Sequence, residues 1–435
     1  MNLANKKEVF LATNGCPENR IDLARMEGFL EGNDWKVTNT IENADLILFN
    51  ACGLTNEQED FSIRIINQLK ARKKPSAELI AYGCLPKINN DRFKEAYQGP
   101  TFGSDEIGKI SEIIGVKSNG QDTPANYLIP NIENAWGTKW KILNINRPRT
   151  FMEMGHQALN LYFRQFKKVI NVYRPYTFVI KISTGCLNGC TYCAVRLSRG
   201  KIRSKAIHMI AEEFDKGLTK GYTEFALIGT DTGSYGRDCD TNLVALLREL
   251  IKRDGEYKIR LRNVNPKFFI EMLPELREIF KTGKISYMGL AAESGNNRIL
   301  ELMNRGYSIE DYKEAILTIN NNFPDMQLRN QLMVGFPSET EEEFEDSVRL
   351  LDELAFDITE VYMFSPRPNT KAANMSNQIP GKVAKRRYHK LLRKSLFNHW
   401  EMKKQALREH KKILRSHEPE VVISSLPKKS AVYSS

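Results

Sequence analysis

The sequence is poor in cysteine and histidine and has no long apolar run. Its 435 residues include 7 cysteines and 6 histidines, too few for a small secreted domain held together by disulfides. No segment approaches the ~18 apolar residues that a membrane span needs. The first residues, MNLANKKEVFLATNG, lack the apolar core and cleavage site of a secretory signal. These absences predict a cytoplasmic protein with no membrane association, and 27% charged with 41% apolar residues excludes a disordered chain.

The excess of positive charge is confined to the end of the chain. Residues 381–435 carry 15 Lys and Arg against 4 Glu, which leaves 49 basic and 49 acidic residues in positions 1–380. This basic tail is predicted to be helical, because its apolar residues have the spacing of one helix face: Tyr388, Leu392, Leu396, Trp400, Leu407 and Leu414. Three interpretations stay open: a helix packed on the preceding domain, an RNA-binding segment, or a helix at a membrane surface.

Residues 1–115 alternate between strand-like and helix-like segments. Three runs are continuously apolar: EVFLATNG, ADLILFNAC and AELIAYGC. Such runs are typical of parallel strands buried on both faces. The helical segment EQEDFSIRIINQLKARKK begins acidic and ends basic, as the helix dipole favours. The pattern predicts a flavodoxin-like parallel α/β domain.

Residues 116–175 interrupt this alternation and are rich in Asn, Gly and Pro at their start, so we interpret them as a linker or an inserted substrate element. The alternation resumes in residues 176–380. Six strands are predicted there: 178–183, 224–229, 257–263, 285–291, 326–335 and 358–365. Six βα units indicate a partial (β/α)6 barrel, with one helix beginning after a Ser338-x-x-Glu341 capping box.

Three cysteines lie within the eight residues CLNGCTYC: Cys186, Cys190 and Cys193. They follow the first predicted barrel strand, and barrel active sites are built at the carboxyl ends of the strands. Three thiolates on one loop can hold three irons of a 4Fe–4S cluster and leave the fourth iron open. A zinc site is the alternative, but zinc would need a fourth Cys or His nearby, and no His lies between Cys186 and His208.

The second set of cysteines is dispersed in sequence: Cys16, Cys52 and Cys84. Each ends an apolar strand, and the carboxyl ends of parallel strands share one edge of a sheet. Three cysteines there can converge on one metal centre that again has three protein ligands. The alternative is that they are small buried apolar residues. Cys239 has no cysteine at useful spacing and is expected to be structural.

Together the two sets resemble the radical S-adenosylmethionine methylthiotransferases. The resemblance covers residues 7–380. It is carried by these segments: TNGCPENRID (13–22), FNACG (49–53), AYGC (81–84), ISTGCLNGCTYCAVRLSRGKIRSK (182–205), LIGTDTGSYG (227–236), ESGNNRILELMNRGYS (293–308), VGFPSET (334–340) and SPRPNTKAA (365–373).

The resemblance implies two 4Fe–4S clusters with separate tasks. The cluster held by Cys186, Cys190 and Cys193 would bind S-adenosylmethionine and cleave it with one electron to methionine and a 5′-deoxyadenosyl radical. The cluster held by Cys16, Cys52 and Cys84 would carry the sulfur that a substrate carbon radical attacks. A second S-adenosylmethionine would supply the methyl group. A reducing partner such as flavodoxin or ferredoxin is also implied.

The resemblance further implies a set of residues around S-adenosylmethionine. Tyr192 would lie by the adenine, and the segment after the second strand would meet the methionine end. The segments after the fourth and fifth strands would contact ribose and adenine. The implied residues are Tyr192, Gly229, Thr230, Asp231, Glu293, Ser294, Val334, Gly335, Phe336 and Pro337. Basic support near the cluster would come from Arg199, Arg203 and Lys205, for which ordinary surface charge is the alternative.

Departures from the family pattern bear on the substrate. This chain reads Glu293-Ser294-Gly295-Asn296 where Gln-Ser-Gly-Ser is usual, so a carboxylate would meet a cationic substrate group or an arginine. Residues 381–435 contain one strand-like segment, EVVISSL, so the small terminal β-barrel (TRAM) that docks macromolecules is expected to be absent.

Cys-Pro-x-Asn at 16–19 and Cys-Gly at 52–53 resemble the ribosomal-protein branch of the family more than the transfer-RNA branch. We therefore expect methylthiolation of a peptide side chain or a specialised small molecule. Methylthiolation of a transfer-RNA adenosine is the alternative, with RNA bound through the basic tail. An alternative of another class is a non-catalytic RNA-binding protein on an enzyme scaffold.

Overall fold

The computed structural model describes residues 7–104, 106, 108–115 and 177–396. These residues form two parallel sheets with their helices and one short antiparallel pair of strands. Residues 116–175, predicted to be a linker or inserted element, lie outside the described residues, as do residues 397–435 of the basic tail. No described helix has the length and apolar character needed to cross a membrane.

The first sheet is built from residues 8–83. Its strands are β1 (Glu8–Thr13), β2 (Lys36–Thr38), β3 (Leu46–Ala51) and β4 (Glu78–Gly83). All pairings among these described strands are parallel, in the order β2-β1-β3-β4, which is the flavodoxin-like order. The sequence pattern predicts β1, β3 and β4 but misses β2, because three partly exposed residues carry no apolar signal.

Apolar side chains cover both faces of this sheet. Along β3, Ile47 and Phe49 pack on one face, while Leu46 and Leu48 pack on the other. This alternation makes the whole strand read as a continuous apolar run. The accompanying helices are α1 (Pro17–Glu31), α2 (Asn56–Arg72), α3 (Leu85–Ile88), α4 (Asn90–Ala96) and α5 (Lys109–Ile113).

The second sheet has six described strands, all paired in parallel. They are β5 (Thr177–Lys181), β8 (Glu224–Ile228), β9 (Lys258–Val264), β10 (Ile285–Glu293), β11 (Gln327–Val334) and β12 (Ile358–Met363). Each lies within two residues of its predicted bounds. The order β5-β8-β9-β10-β11-β12 follows the chain, as in an open (β/α)6 barrel. The short strands β6 (Ser183–Thr184) and β7 (Arg203–Ser204) pair antiparallel at the base of the CLNGCTYC loop.

The described helices of this domain are α6 (Val195–Arg199), α7 (Ile207–Thr219), α8 (Leu243–Leu250), α9 (Pro266–Phe280), α10 (Asn297–Leu302), α11 (Ile309–Asn322) and α12 (Glu341–Glu353). The longer ones, α7, α8, α9, α11 and α12, cover the outer face of the sheet, and their apolar side chains form most of the largest core. Helix α6 packs instead against α3 of the first domain. The α12 cap differs from the prediction. Thr340, not Ser338, is the N-cap, and Glu343 completes the capping box. Ser338 has φ +65°, which is incompatible with the extended backbone of an N-cap.

Helix α1 of the first domain packs on the inner face of the second sheet. Ile21 of α1 contacts Val179 of β5 with Ala226 and Ile228 of β8. The intervening residues of these strands, such as Ile180, face the outer core instead, as strand alternation requires. The contact brings the carboxyl ends of the two sheets together.

The described part of the basic tail is a helix, α13 (381–396), packed against α12. Its charges pair with acidic residues of α12: Arg386 and Arg387 with Glu341, Lys390 with Glu345, and Lys394 with Asp352. Its buried face contains Ala384, Arg387, Leu391 and Ser395. The predicted stripe is therefore wrong in part, since Leu396 is exposed. The buried face includes the charged Arg387, so it does not appear in the sequence as a run of apolar residues at helical spacing.

Candidate functional site

The three dispersed cysteines lie at the carboxyl edge of the first sheet. Cys16 precedes α1 as its N-cap, Cys52 directly follows β3, and Cys84 directly follows β4. The strand order reverses between β1 and β3, which is where ligands bind in open α/β sheets. The fold thus brings these cysteines together, as the strand pattern predicts.

The side-chain amide of Asn19 contacts two of these sulfurs. Asn19 Oδ1 lies 3.5 Å from Cys16 Sγ and 3.8 Å from Cys84 Sγ. The Asn19 Nδ2 donates to Asn50 Oδ1 at 2.8 Å, which fixes the orientation of the amide. The third cysteine is held separately, since Cys52 N donates to Asn14 Oδ1 at 3.0 Å. All three asparagines lie within the TNGCPENRID and FNACG segments, but no pattern in the sequence singles them out.

The second cysteine set lies on the loop between β6 and α6. Asn188 N and Nδ2 point at Cys186 Sγ from 3.3 and 3.6 Å, and Arg305 Nη1 donates to Cys190 Sγ at 3.4 Å. The loop closes tightly at Gly185, which has φ +78°, and a Cβ there would lie 2.2 Å from Lys201 O. Only glycine fits this position.

The two sets of cysteines lie on either side of the domain junction and are linked by contacts across it. Ala194, next to Cys193, packs against Cys84 and Ile88. Arg199, on the helix that follows the cysteine loop, reaches into the first domain and donates to Asn19 Oδ1 at 2.6 Å. Asn19, which contacts Cys16 and Cys84 of the first set, is therefore bound by Arg199, which follows the second set in the chain.

A buried charge network anchors this junction. Asp22 accepts from Lys181 Nζ at 2.8 Å and from Arg199 Nη1 at 3.0 Å. Burial opposes the charge of Asp22, but the two cations outweigh it and lower its pKa to about 2. Of the predicted basic residues, Arg199 thus lies beside the first domain's cysteines. Lys205 is buried on Glu213 at 2.6 Å and Arg203 is exposed, and no contact with the cysteines is described for either.

The donor sets fit iron–sulfur clusters. Burial raises the pKa of Cys52 and of Cys193 to about 12, and neighbouring cysteines add to the effect. Such thiols become thiolates when a cationic metal centre displaces their protons. Within the described residues, no three Cys, His, Asp or Glu side chains converge closely enough to hold a single ion. A zinc site needs that convergence, because Zn–S bonds are about 2.3 Å long, whereas a 4Fe–4S cube holds its thiolates farther apart.

The residues expected around S-adenosylmethionine share the carboxyl edge of the second sheet. Asp231 Oδ1 accepts from Gly233 N and Asn265 N, and its Oδ2 accepts from Asn188 Nδ2 at 2.6 Å. Asp231 therefore connects the loop after β8 to the cysteine loop. Gly229 leaves no room for a side chain, since a Cβ would lie 2.5 Å from Ser183 Oγ. Thr230 points away to Glu18 of α1, with Oγ1 donating at 3.2 Å.

Apolar residues around Phe336 and the carboxylate of Glu293 lie on the other side of the cysteine loop. Tyr192 packs with buried Phe336, which belongs to the segment after β11. In the same segment Val334 and Pro337 are buried, and Gly335, with φ +76°, donates its N–H to Glu339 at 2.8 Å. The buried Ser294 Oγ accepts from Asn296 N at 3.2 Å.

Glu293 has an arginine partner. Its backbone has φ +69°, and burial raises the pKa of its carboxyl group while the nearby Arg305 opposes that shift. Arg305 also donates to Tyr192 Oη at 3.4 Å and to Ala291 O at 2.7 Å. The departure from the family's glutamine is thus matched by a cation of the chain itself, and a cationic substrate is not needed to explain it. The sequence analysis missed Arg305, which lies in the ESGNNRILELMNRGYS segment.

Comparisons with known proteins agree with this geometry. Residues 180–351 match the model of the Radical SAM superfamily, and residues 8–102 match that of Uncharacterized protein family UPF0004. A probable threonylcarbamoyladenosine tRNA methylthiotransferase from Pyrococcus horikoshii is 32% identical over 409 residues, 94% of this chain and 88% of the relative. The chain belongs to the radical S-adenosylmethionine methylthiotransferases. It is therefore an enzyme that uses S-adenosylmethionine and two 4Fe–4S clusters.

Other relatives of this methylthiotransferase differ in substrate. The ribosomal protein uS12 methylthiotransferase RimO of Thermotoga sp. strain RQ2 is 31% identical over 382 residues, 87% of this chain and 81% of the relative. The solved structure of the methyltransferase TsrM from Kitasatospora setae has the same fold, with a TM-score of 0.56 at 14% identity over 85% of this chain and 77% of that one. The reported methylthiotransferases are named for tRNA or a ribosomal protein, so the expectation of a peptide or specialised small molecule gains no support.

Proposed function

We propose that this enzyme attaches a methylthio group to threonylcarbamoyladenosine in a transfer RNA. Cys186, Cys190 and Cys193 hold the cluster that binds S-adenosylmethionine. Cys16, Cys52 and Cys84 hold the cluster that supplies sulfur. The observation that carries the proposal is the contact between the two cysteine sets across the domain junction, made through Arg199 and Ala194.

Radical chemistry requires the two cysteine sets to lie close together. A carbon radical reacts with the first partner it meets, so the sulfur must already lie beside the substrate when the hydrogen atom is removed. When bound, the two clusters and S-adenosylmethionine supply the electron, the radical and the sulfur. The chain supplies position: Asp231 and Asn188 fix one cysteine loop, and Asn19 fixes the other edge.

The inner face of the second sheet supports an anionic substrate group. Arg260 and Arg262 alternate with buried Ile259 and Leu261 along β9, so they project to the inner face. Arg329 of β11 also lies on this face, where it pairs with Glu360 of β12. Arginine is well suited to bind carboxylates. The threonylcarbamoyl group carries a carboxylate, and the three arginines of this face exceed their two acidic partners, Glu224 and Glu360, by one positive charge.

The choice of transfer RNA rests on the extent of similarity. The Pyrococcus horikoshii relative and a threonylcarbamoyladenosine tRNA methylthiotransferase of Thermotoga maritima, 28% identical, each align over 94% of this chain, and three further relatives named for that substrate align over 87–89%. The uS12 relatives align over 87%. Methylthiolation of uS12 is the second candidate, and the 31% identity of the Thermotoga enzyme favours it.

A substrate assay tests the proposal. The anaerobically reconstituted enzyme is given S-adenosylmethionine, dithionite and either tRNA that carries threonylcarbamoyladenosine, the same tRNA without that group, or uS12. Mass spectrometry of nucleosides and of digested uS12 should reveal a methylthio increment in the first tRNA only. Cys52→Ala serves as a control that should give none. An increment in uS12 alone would establish the second candidate, and no increment in any sample would contradict both.

A further inference from the structure

A cavity opens to solvent directly above the cysteine loop of the second domain. It has a volume of about 310 Å³ and is walled by three loops at the carboxyl edge of the sheet and by the first turns of α9. Its lining comprises Leu187, Asn188, Gly189, Arg237, Lys267, Phe268, Glu271, Asn304, Arg305 and Gly306. The proposed function leaves this cavity without a role.

The floor of the cavity consists of residues that touch the cysteines. Asn188 donates its N–H to Cys186 Sγ at 3.3 Å, and Arg305 Nη1 donates to Cys190 Sγ at 3.4 Å. A single layer of residues therefore separates the cavity from the sulfurs. An electron that enters through the cavity therefore crosses only this layer.

The rim of the cavity is positively charged. Arg237 and Lys267 are exposed on it, and exposed Arg196 adjoins it, with Nη1 donating to Asn188 O at 3.4 Å. Glu271 is the acidic residue of the lining, and Arg237 binds it at 2.6 Å. The cavity thus presents an excess of positive charge toward solvent.

One apolar side chain is exposed on this surface: Leu187, within the cysteine loop, is 45% exposed. Two cations cover the buried Phe268, since the Arg237 guanidinium lies 4.5 Å from its ring centre and Lys267 Nζ lies 5.7 Å from it. Exposed apolar side chains bordered by charged residues are typical of protein interfaces, whereas a nucleic-acid backbone makes its contacts mainly through phosphates. The apolar Leu187 and the acidic Glu271 both disfavour RNA here.

We propose that this cavity is the docking site of a small acidic electron-carrier protein of the flavodoxin class. The proposal rests on the proposed function, because it assigns the source of the electron that cleaves S-adenosylmethionine. The carrier is oxidised by one electron, and the cluster held by Cys186, Cys190 and Cys193 is reduced by one. The acidic rim of the carrier binds Arg196, Arg237 and Lys267, and its exposed flavin edge faces Leu187.

Charge reversal on the rim tests the proposal. The variant R237E/K267E is compared with K252E/K281E, which makes the same charge change on exposed residues elsewhere. Lys281 caps the far end of the helix that begins beside Lys267, about 20 Å away at 1.5 Å per residue. The rate of 5′-deoxyadenosine formation is measured with a reduced, purified acidic flavodoxin and, separately, with dithionite.

The rim variant should lose at least about tenfold in the flavodoxin-driven rate at low salt and keep its dithionite-driven rate. The control variant should keep both. For the unmodified enzyme, the flavodoxin-driven rate should fall about tenfold as ionic strength rises, while the dithionite-driven rate stays constant. This salt series needs no variant, so the proposal is tested even if R237E/K267E does not fold.

Three outcomes would overturn the docking site: equal rates in the two variants, a salt-independent flavodoxin rate, or loss of tRNA binding by R237E/K267E with an unchanged flavodoxin rate. The last outcome would assign the cavity to RNA. If the unmodified enzyme forms no 5′-deoxyadenosine even with dithionite, the proposed function itself fails, and this result is distinct from the other three.

Discussion

Arg367 of the second domain and Glu59 of the first form a buried ion pair across the domain junction. Both side chains are at most 2% exposed. Arg367 also donates to Asn56 Oδ1, and Glu59 also binds Arg92 at 2.7 Å. The two domains are therefore joined by charge at α2 as well as by apolar contact at α1.

Removing Arg367 should destabilise the protein. Arg367→Ala leaves the Glu59 carboxylate buried with one partner fewer, which typically costs about 3 kcal/mol in the free energy of unfolding. Arg72→Ala is the matched control: its pair with Glu42 is half exposed at 2.9 Å and should contribute less than about 1 kcal/mol. Urea unfolding measures both. Similar losses in the two variants would show that the junction does not depend on this pair.

The two cysteine sets should separate two activities. Cys186→Ala should abolish formation of 5′-deoxyadenosine, because the proposed site for S-adenosylmethionine loses a ligand. Cys52→Ala should keep that cleavage but lose sulfur transfer. Iron analysis together with 5′-deoxyadenosine and product assays measures the difference. Equal loss of both activities in the two variants would contradict the assigned division of labour.

Arg305 should tune the cluster beside it. Its N–H donates to Cys190 Sγ at 3.4 Å, and hydrogen bonds to ligand sulfurs raise the reduction potential of an iron–sulfur cluster. Arg305→Met should therefore lower the midpoint potential, while Arg305→Lys keeps the positive charge and should lower it less. Redox titration followed by electron paramagnetic resonance measures this. An unchanged midpoint potential in both variants would show that Arg305 has only a structural role.

Glu339 should make stability depend on pH. Burial raises its pKa to about 7, although Gly335 N–H and Arg387 oppose the shift and Glu343 adds to it. The folded state thus binds more protons than the unfolded state between pH 4.5 and 7. Stability from this group therefore falls as pH rises through that range, by about 3 kcal/mol.

Glu339→Gln should remove that slope. Unfolding measured at several pH values between 4.5 and 8 should show the free energy of the unmodified protein falling relative to that of the variant. Parallel curves would mean that Glu339 does not titrate in this range. Glu339 also joins two parts of the structure, because it binds Arg387 of α13 at 2.8 Å and accepts the N–H of Gly335. The stability of the variant therefore also tests whether this link between α13 and the segment around Gly335 stabilises the fold.

Much of the fold follows from the sequence because its strands are continuously buried. β3 and β4 read as apolar runs since both faces of the sheet are covered, and the cysteines stand at the ends of those runs. β2 was missed because it is short and partly exposed. The face of α13 was misassigned because Arg387 is buried by Glu339, a pairing that spacing along one helix does not reveal.

The sequence predicts the cysteines of the site but not the side chains that hydrogen-bond to them. Cys16 and Cys84 share Asn19, and Arg199 completes that contact from 180 residues away. Arg305 reaches Cys190 over 115 residues. The first contact depends on how the two domains dock and the second on how distant segments of the second domain pack, and no local pattern encodes either.

The docking of α1 has a consequence for biosynthesis. Ile21 and Asp22 leave the ribosome early, but Val179, Lys181 and Arg199, which enclose them, are translated more than 150 residues later. Until then the nascent first domain exposes an apolar side chain and a carboxylate that the mature enzyme hides, and such surfaces attract chaperones. The amide that Cys16 and Cys84 share likewise gains its arginine only once residue 199 has been translated.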